Sequence, residues 1–284
     1  MSPDDAASTA AASTAPPRPT LFEALSPWTV GLLVLGCLVL DQVLTAVIWA
    51  TGHHATAILV ASILGIGVPL AGVLRGLDLP WRLELGLHAL RAREVLLVVW
   101  ILGAALPPIY ALDALSERCF PPRPEHLDFY AGLRPHDVAT WVGGLLAVVV
   151  VGPLAEELLF RRLLLQLGVR LLAVPIAIVA TGILFGVVHG ALWSLLPLAV
   201  LGILLGFLAW TTRNVTSAWL AHALFNLAAF LELGVLGDPR ALWLQQWSRH
   251  AILWIPSAVV ACVGLVVLGR AAPGIRRRPE TTRR

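Results

Sequence analysis

The chain has no lysine: all 20 of its basic residues are arginine. Charge of any kind is scarce, with Asp, Glu, Arg and Lys making up 13% of the 284 residues against roughly 25% in soluble domains. The hydrophobic share is 58% and the mean hydropathy is +0.83, so both measures exclude an ordinary soluble enzyme and a disordered chain. Cysteine is nearly absent as well. Cys37, Cys119 and Cys262 are scattered, two of them inside apolar runs, which excludes a disulfide framework and a CxxC metal site and leaves them as small packing residues. The formal net charge of +3 gives no support to nucleic-acid binding. No basic segment leads directly into an apolar core at the start, so a cleaved signal peptide is not expected. The Ala, Ser, Thr and Pro composition of residues 1–27 reads instead as a disordered tail.

What the chain has in abundance is long apolar runs. A bilayer core takes about 20 helical residues to cross. Runs near that length fall at 29–50, 55–74, 95–112, 141–168, 171–190, 192–212, 215–236 and 251–268. The expected fold class is therefore all-α, a polytopic membrane bundle of about eight transmembrane helices. Residues 28–269 form its membrane domain, and 270–284 an Arg-rich tail. Trp28 and Trp49 bracket the first run, Trp141 opens the fourth, and Trp193 and Trp210 bracket the sixth, as interfacial aromatic belts do. Placing both termini in the cytoplasm puts 15 of the 20 arginines on the inner side, including Arg161, Arg162 and Arg170, and leaves Arg118, Arg123, Arg134, Arg240 and Arg249 outside. The stretch 79–94 reads as an amphipathic segment on the inner surface, and 113–140 as the one sizeable outer loop. No internal repeat of the transporter kind is visible. Gly182, Gly186 and Gly190 on the fifth run, with Gly202 and Gly206 on the sixth, allow close helix contact.

Ionisable groups inside spans are costly, and so they mark function. They concentrate in three places. The first is Glu156-Glu157 followed by Arg161 and Arg162. Adjacent helical residues point about 100° apart, so the two acids need not share an environment. Glu157 and Arg161 are four apart and can pair, which leaves Glu156 to face a cavity. The second is Phe185 with His189, and the third is His222 with Asn226, each four residues apart on one helix face. Taken singly, each has a bland reading: interfacial salt bridges, a satisfied core histidine, an interhelical hydrogen-bond clamp. Together they supply the parts of a water-activating hydrolase. Glu156 can act as general base on a water that His189 also holds, and His222 and Asn226 can donate to the oxyanion of a tetrahedral intermediate. No Ser or Cys nucleophile is evident beside them.

In order and spacing, Glu156-Glu157-x-x-x-Arg161, Phe185-x-x-x-His189 and His222-x-x-x-Asn226 resemble the three motifs of the CPBP intramembrane proteases. That family includes the type II CAAX prenyl endopeptidases and bacterial bacteriocin-processing and immunity proteins. The resemblance covers about residues 140–232. It implies an eight-span bundle with an intramembrane active site, catalytic roles for Glu156, His189, His222 and Asn226, and supporting roles for Glu157, Arg161 and Phe185. If the fourth helix ended at Arg161, Glu156 would lie some 27 Å from His189, about 18 residues of helix at 1.5 Å each. That helix is therefore expected to continue to about Gly168.

Metal is open at this stage. Glu156, His189 and His222 with a water make a set of the catalytic zinc type, yet no HExxH or similar close chelate is present. The resembled family is described both as metalloproteases and as glutamate-driven hydrolases without metal. The expectation adopted is that no cofactor is required, with zinc as the alternative. Asp41 and Gln42 are read as packing residues, Asn214-Val215-Thr216 as a sequon on the wrong side of the membrane, and His53 and His54 as a solvated loop. The expected activity is endoproteolysis of a membrane-tethered protein or peptide in the inner membrane of a bacterium with a GC-rich genome. The competing expectation is a non-enzymatic membrane protein: an immunity or scaffold protein, or a proton-coupled carrier.

Overall fold

The computed structural model describes residues 20–122, 124–236 and 251–271. Every element among them is helical. Six helices are long and apolar enough to cross a membrane: α1 (Pro27–Trp49), α2 (His54–Gly76), α3 (Ala92–Cys119), α4 (Val138–Leu171), α6 (Leu192–Thr212) and α7 (Val215–Val235). Two shorter apolar helices, α5 (Val174–Val188) and α8, whose apolar stretch is Ile255–Val267, accompany them, so among the described residues six helices rather than eight have the length of a span. The chain is a helical membrane bundle whose outward surface is apolar: Trp28, Leu32, Leu96, Ile176 and Val235 are all more than half exposed. In water such a surface would mark an interaction site; here it is the face turned to lipid.

One helix is longer than expected, and another continues as the site requires. α3 runs on to Cys119, and a further helix, Pro124–Leu133, occupies much of the segment read as a loop. α4 continues past Arg161 to Leu171 without a break. Its start is fixed by Asp137, whose carboxylate accepts from the Thr140 amide at 2.8 Å. That bond, with a second from the Thr140 hydroxyl, holds the Asp137 carboxyl below the usual carboxylate range.

The inner-surface segment also departs from expectation. Between residue 79 and the start of α3 at Ala92 only Trp81–Leu85 is helical, and Glu84 within it is buried. Its carboxylate accepts from Arg162 at 3.0 Å and from the Leu21 amide at 3.1 Å. Arg170 donates to the Phe22 carbonyl at 2.6 Å, and Leu21–Ala24 forms a short helix with Leu21 fully buried. The end of the supposed tail, from residue 20, is thus strapped to the bundle, while residues 1–19 lie outside the described residues. Asn214 serves the same end as a clamp. Its side chain donates to His88 O at 2.9 Å and accepts from His88 N at 3.2 Å, which explains the sequon-like triplet without glycosylation.

α5 and α6 pack at backbone contact. A methyl group on Gly202 would stand 2.8 Å from Gly182 O, and one on Gly186 would stand 2.8 Å from Leu195 O. Gly190 has another role: at φ +67° in open space it ends α5, where an L side chain would be strained.

Candidate active site

The level of the site follows from helix arithmetic. Glu156 stands 15 residues before the end of α4 and His189 stands 15 residues after the start of α5. At 1.5 Å per residue both lie about 22 Å from the connecting turn. The two side chains meet: His189 Nε2 is 3.8 Å from Glu156 Oε2. His222, from α7, places its Nε2 3.9 Å from the same oxygen.

Both rings are held by their other nitrogen. His189 Nδ1 lies 2.7 Å from Phe185 O, and His222 Nδ1 lies 2.9 Å from Glu157 Oε1. A carbonyl oxygen only accepts, so Nδ1 of His189 carries the proton. Glu157 is ion-paired to Arg161 and likewise accepts from His222. In the neutral imidazoles both Nε2 atoms are then lone pairs, aimed at a carboxylate oxygen that is itself an acceptor. Glu156 Oε2 is buried and has no hydrogen-bond partner. Three acceptors that converge in this way cannot bond one another. They call for a donor between them, and a water with two hydrogens supplies it.

The adjacent acid has a different environment. Glu157 is fully buried, forms an ion pair with Arg161 Nε at 3.0 Å and accepts a hydrogen bond from the His222 ring. Arg161 extends to Gly202 O at 3.1 Å and lies over the Phe185 ring at 4.8 Å. Phe185 in turn touches His189 and His222, with ring centroids 4.7 and 5.4 Å apart. It is a hub, fully buried, that fixes both imidazole planes. Arg161 therefore belongs to the core and carries no information about orientation, although it entered the inner-side arginine count.

Asn226 does something the sequence did not announce. α4 is wound as a π-helix over Leu145–Val151, where Gly152 N–H bonds Ala147 O. The next bond of that pattern would run from residue 153 to Val148 O, but residue 153 is proline and has no N–H. Val148 O is left over, and Asn226 Nδ2 donates to it at 2.9 Å. Trp219 Nε1 captures Val150 O in the same way at 3.0 Å. One N–H of the Asn226 amide is thereby spent on the backbone of α4 and one remains. The signal for this link was Pro153 within an apolar helix. A second π-helical stretch, Leu158–Leu164, follows the acid pair, so the glutamates sit on an α-helical turn between two underwound neighbours. Asp41 of α1 lies within electrostatic reach of Glu156 and stands closer to the site than its sequence position implied.

Can the donor set hold a metal? Ligands at 2.0–2.1 Å around a tetrahedral zinc lie roughly 3.3 Å apart. The 3.8 and 3.9 Å separations are wider. Among the described residues no group of three His, Cys, Asp or Glu side chains is gathered closely enough to hold an ion. The set as arranged does not fit a metal.

No curated protein and no solved structure matches the chain. A family model does. Residues 138–228, about a third of the chain and a stretch that runs from the start of α4 to just beyond Asn226, match type II CAAX prenyl endopeptidase Rce1-like.

Proposed function

We propose that the protein is an intramembrane endopeptidase that cleaves a membrane-tethered peptide or protein with a glutamate-activated water. The observation that carries this is the buried, unbonded Glu156 Oε2 facing two imidazole nitrogens at 3.8 and 3.9 Å. A water there donates one hydrogen to Glu156 and one to His189. As its oxygen attacks the scissile carbonyl carbon, Glu156 takes the proton and the carbonyl electrons move onto oxygen. The remaining Asn226 N–H faces the oxyanion role. His222 can share it when Nε2 is protonated too, with Nδ1 still on Glu157. The proton on Glu156 then passes to the departing amide nitrogen, and the C–N bond breaks.

The position of the acids inside a lipid-facing bundle favours substrates that are themselves anchored in the membrane. The arginine distribution supports an inner bacterial membrane with cytoplasmic termini. The test is a comparison of membrane-proteome fragments between a deletion strain, a wild-type strain and one carrying Glu156→Gln at equal expression. A precursor processed only in the wild type is expected. Identical fragments in all three remove the enzyme and leave the scaffold or carrier reading.

A further inference from the structure

A second polar cluster lies toward the far end of the bundle from the α4–α5 turn, and the chemistry above makes no use of it. Tyr110, Asp113 and Glu117 follow one face of α3 at i, i+3 and i+7. Opposite them, Phe225 and Glu232 are seven residues apart on one face of α7. The two faces meet where the Tyr110 ring lies over Phe225, centroids 6.2 Å apart. The connection that leaves His189 closes a third side: Ser116 Oγ donates to Leu192 O at 3.3 Å, and Tyr130 hydrogen-bonds with Trp193 and Ser194.

Two features of this cluster point to a missing partner. Tyr110 is 4% exposed, and its hydroxyl has no hydrogen-bond partner. The charged groups within reach of that hydroxyl are Glu232 and Asp113. Asp113, partly buried in the last two turns of α3, forms no ion pair with any arginine among the described residues. A carboxylate drawn into a packed bundle ordinarily has a cation beside it. A site of carboxylate, phenol oxygen and aromatic faces is the chemistry that binds a guanidinium or ammonium group, through charge-assisted hydrogen bonds and cation–π contact.

We propose that this cluster, with Asp113 and the Tyr110 hydroxyl at its centre, is a substrate subsite for a basic side chain. The inference rests on the endopeptidase reading and specifies the substrate it takes. Asn226 precedes Glu232 by six residues, about 9 Å of helix. An extended peptide advances about 3.3–3.6 Å per residue, which puts the basic residue about two to four positions from the scissile bond. The lysine-free chain supplies no ammonium of its own, and arginine, with its planar fork, suits the paired oxygens best.

Binding tests this without requiring cleavage. Full-length Glu156→Gln protein in lipid nanodiscs is titrated with an apolar, fluorescently labelled octapeptide that contains one arginine, and with the same peptide containing citrulline. The arginine peptide is expected to bind at least tenfold more tightly, and Asp113→Asn with Glu232→Gln is expected to abolish the difference. Equal binding of the two peptides overturns the subsite, as does a preference that survives in the double variant. A preference seen only in discs free of phosphatidylethanolamine assigns the pocket to a lipid ammonium and overturns the peptide assignment. Tyr110→Phe, which removes only the oxygen, is expected to reduce the preference while leaving citrulline-peptide binding unchanged. The proteolytic reading is tested separately, by incubating wild-type and Glu156→Gln protein with a mixed peptide library. If nothing is cleaved but arginine selectivity holds, proteolysis fails and the cation site stands. If cleavage depends on Glu156 without basic preference, the reverse holds.

Discussion

Glu156 and Glu157 are neighbours on one helix with the same side chain, yet they occupy two regions built on opposite rules. Glu157 is fully buried, ion-paired to Arg161 and hydrogen-bonded to His222, so its charge is matched from both sides. Glu156 is about a third exposed, and the oxygen it turns inward has no hydrogen-bond partner. The helical rotation of 100° per residue is enough to send one into the packed side and the other into the cavity. The difference teaches that a charge is retained at membrane depth for either of two reasons. It can hold other groups in place, or it can be left wanting a bond that only water or substrate completes.

The sharpest way to break this contrast is to neutralise each acid in turn. Glu156→Gln keeps the shape and removes the base, so proteolysis should fall by about 10²–10⁴-fold while the melting temperature of the purified protein stays within a degree or two. A variant that cleaves at the wild-type rate would end the general-base assignment. Glu157→Gln should do the reverse kind of damage. It strands Arg161, of which only 2% is exposed, and breaking a buried pair costs about 3–5 kcal/mol, enough to deplete folded protein in the membrane. Adding Arg161→Met should recover folded protein, measured by detergent-resistant fluorescence, yet leave activity low because His222 has lost its orienting carboxylate. Full activity in that double variant would show that Glu157 orients nothing.

Much of this contrast was legible in the sequence. The i,i+4 spacing of Glu157 and Arg161 gave the pair, and the spacing of the three motifs gave the order of the site. Helix rise alone showed that α4 had to pass Arg161, and it does. What pattern could not supply is tertiary. Local sequence says nothing of which carbonyl Asn226 meets, because that depends on a π-helical register and on a proline 73 positions away in the chain. Nor does it show that Phe185, which the motif marks only as the residue four before His189, separates Arg161 from the histidines. The segment 79–94 misled for a related reason. Its leucines set among arginines resemble a surface helix, but Glu84 turns inward to a partly buried cation from α4.

Smaller effects are expected where the site is supported from behind. Gly202 accepts from Arg161 through its carbonyl and leaves no room for a methyl against Gly182. Gly202→Ala should cost about 1–3 kcal/mol through overpacking, read as a lowered thermal midpoint, and should reduce activity only in proportion to the folded fraction. A much larger loss of turnover at equal folded protein would mean that the α5–α6 contact positions the histidines directly.

The smallest expected effect tests the contrast from the other side. If Glu156, His189 and His222 hold a water, stripping metal should change nothing. If they hold zinc, it should abolish turnover. The widened 3.8 and 3.9 Å spacing favours the first. Protein dialysed against chelator, with metal content measured by mass spectrometry, should contain well under one ion per chain and cleave at the rate of the untreated sample. An activity that disappears on dialysis and returns with one equivalent of zinc would require the three side chains to close by about half an ångström around the ion. Glu156 would then be a ligand, and the contrast with Glu157 would be between two charge-matched carboxylates rather than between a paired and a reactive one.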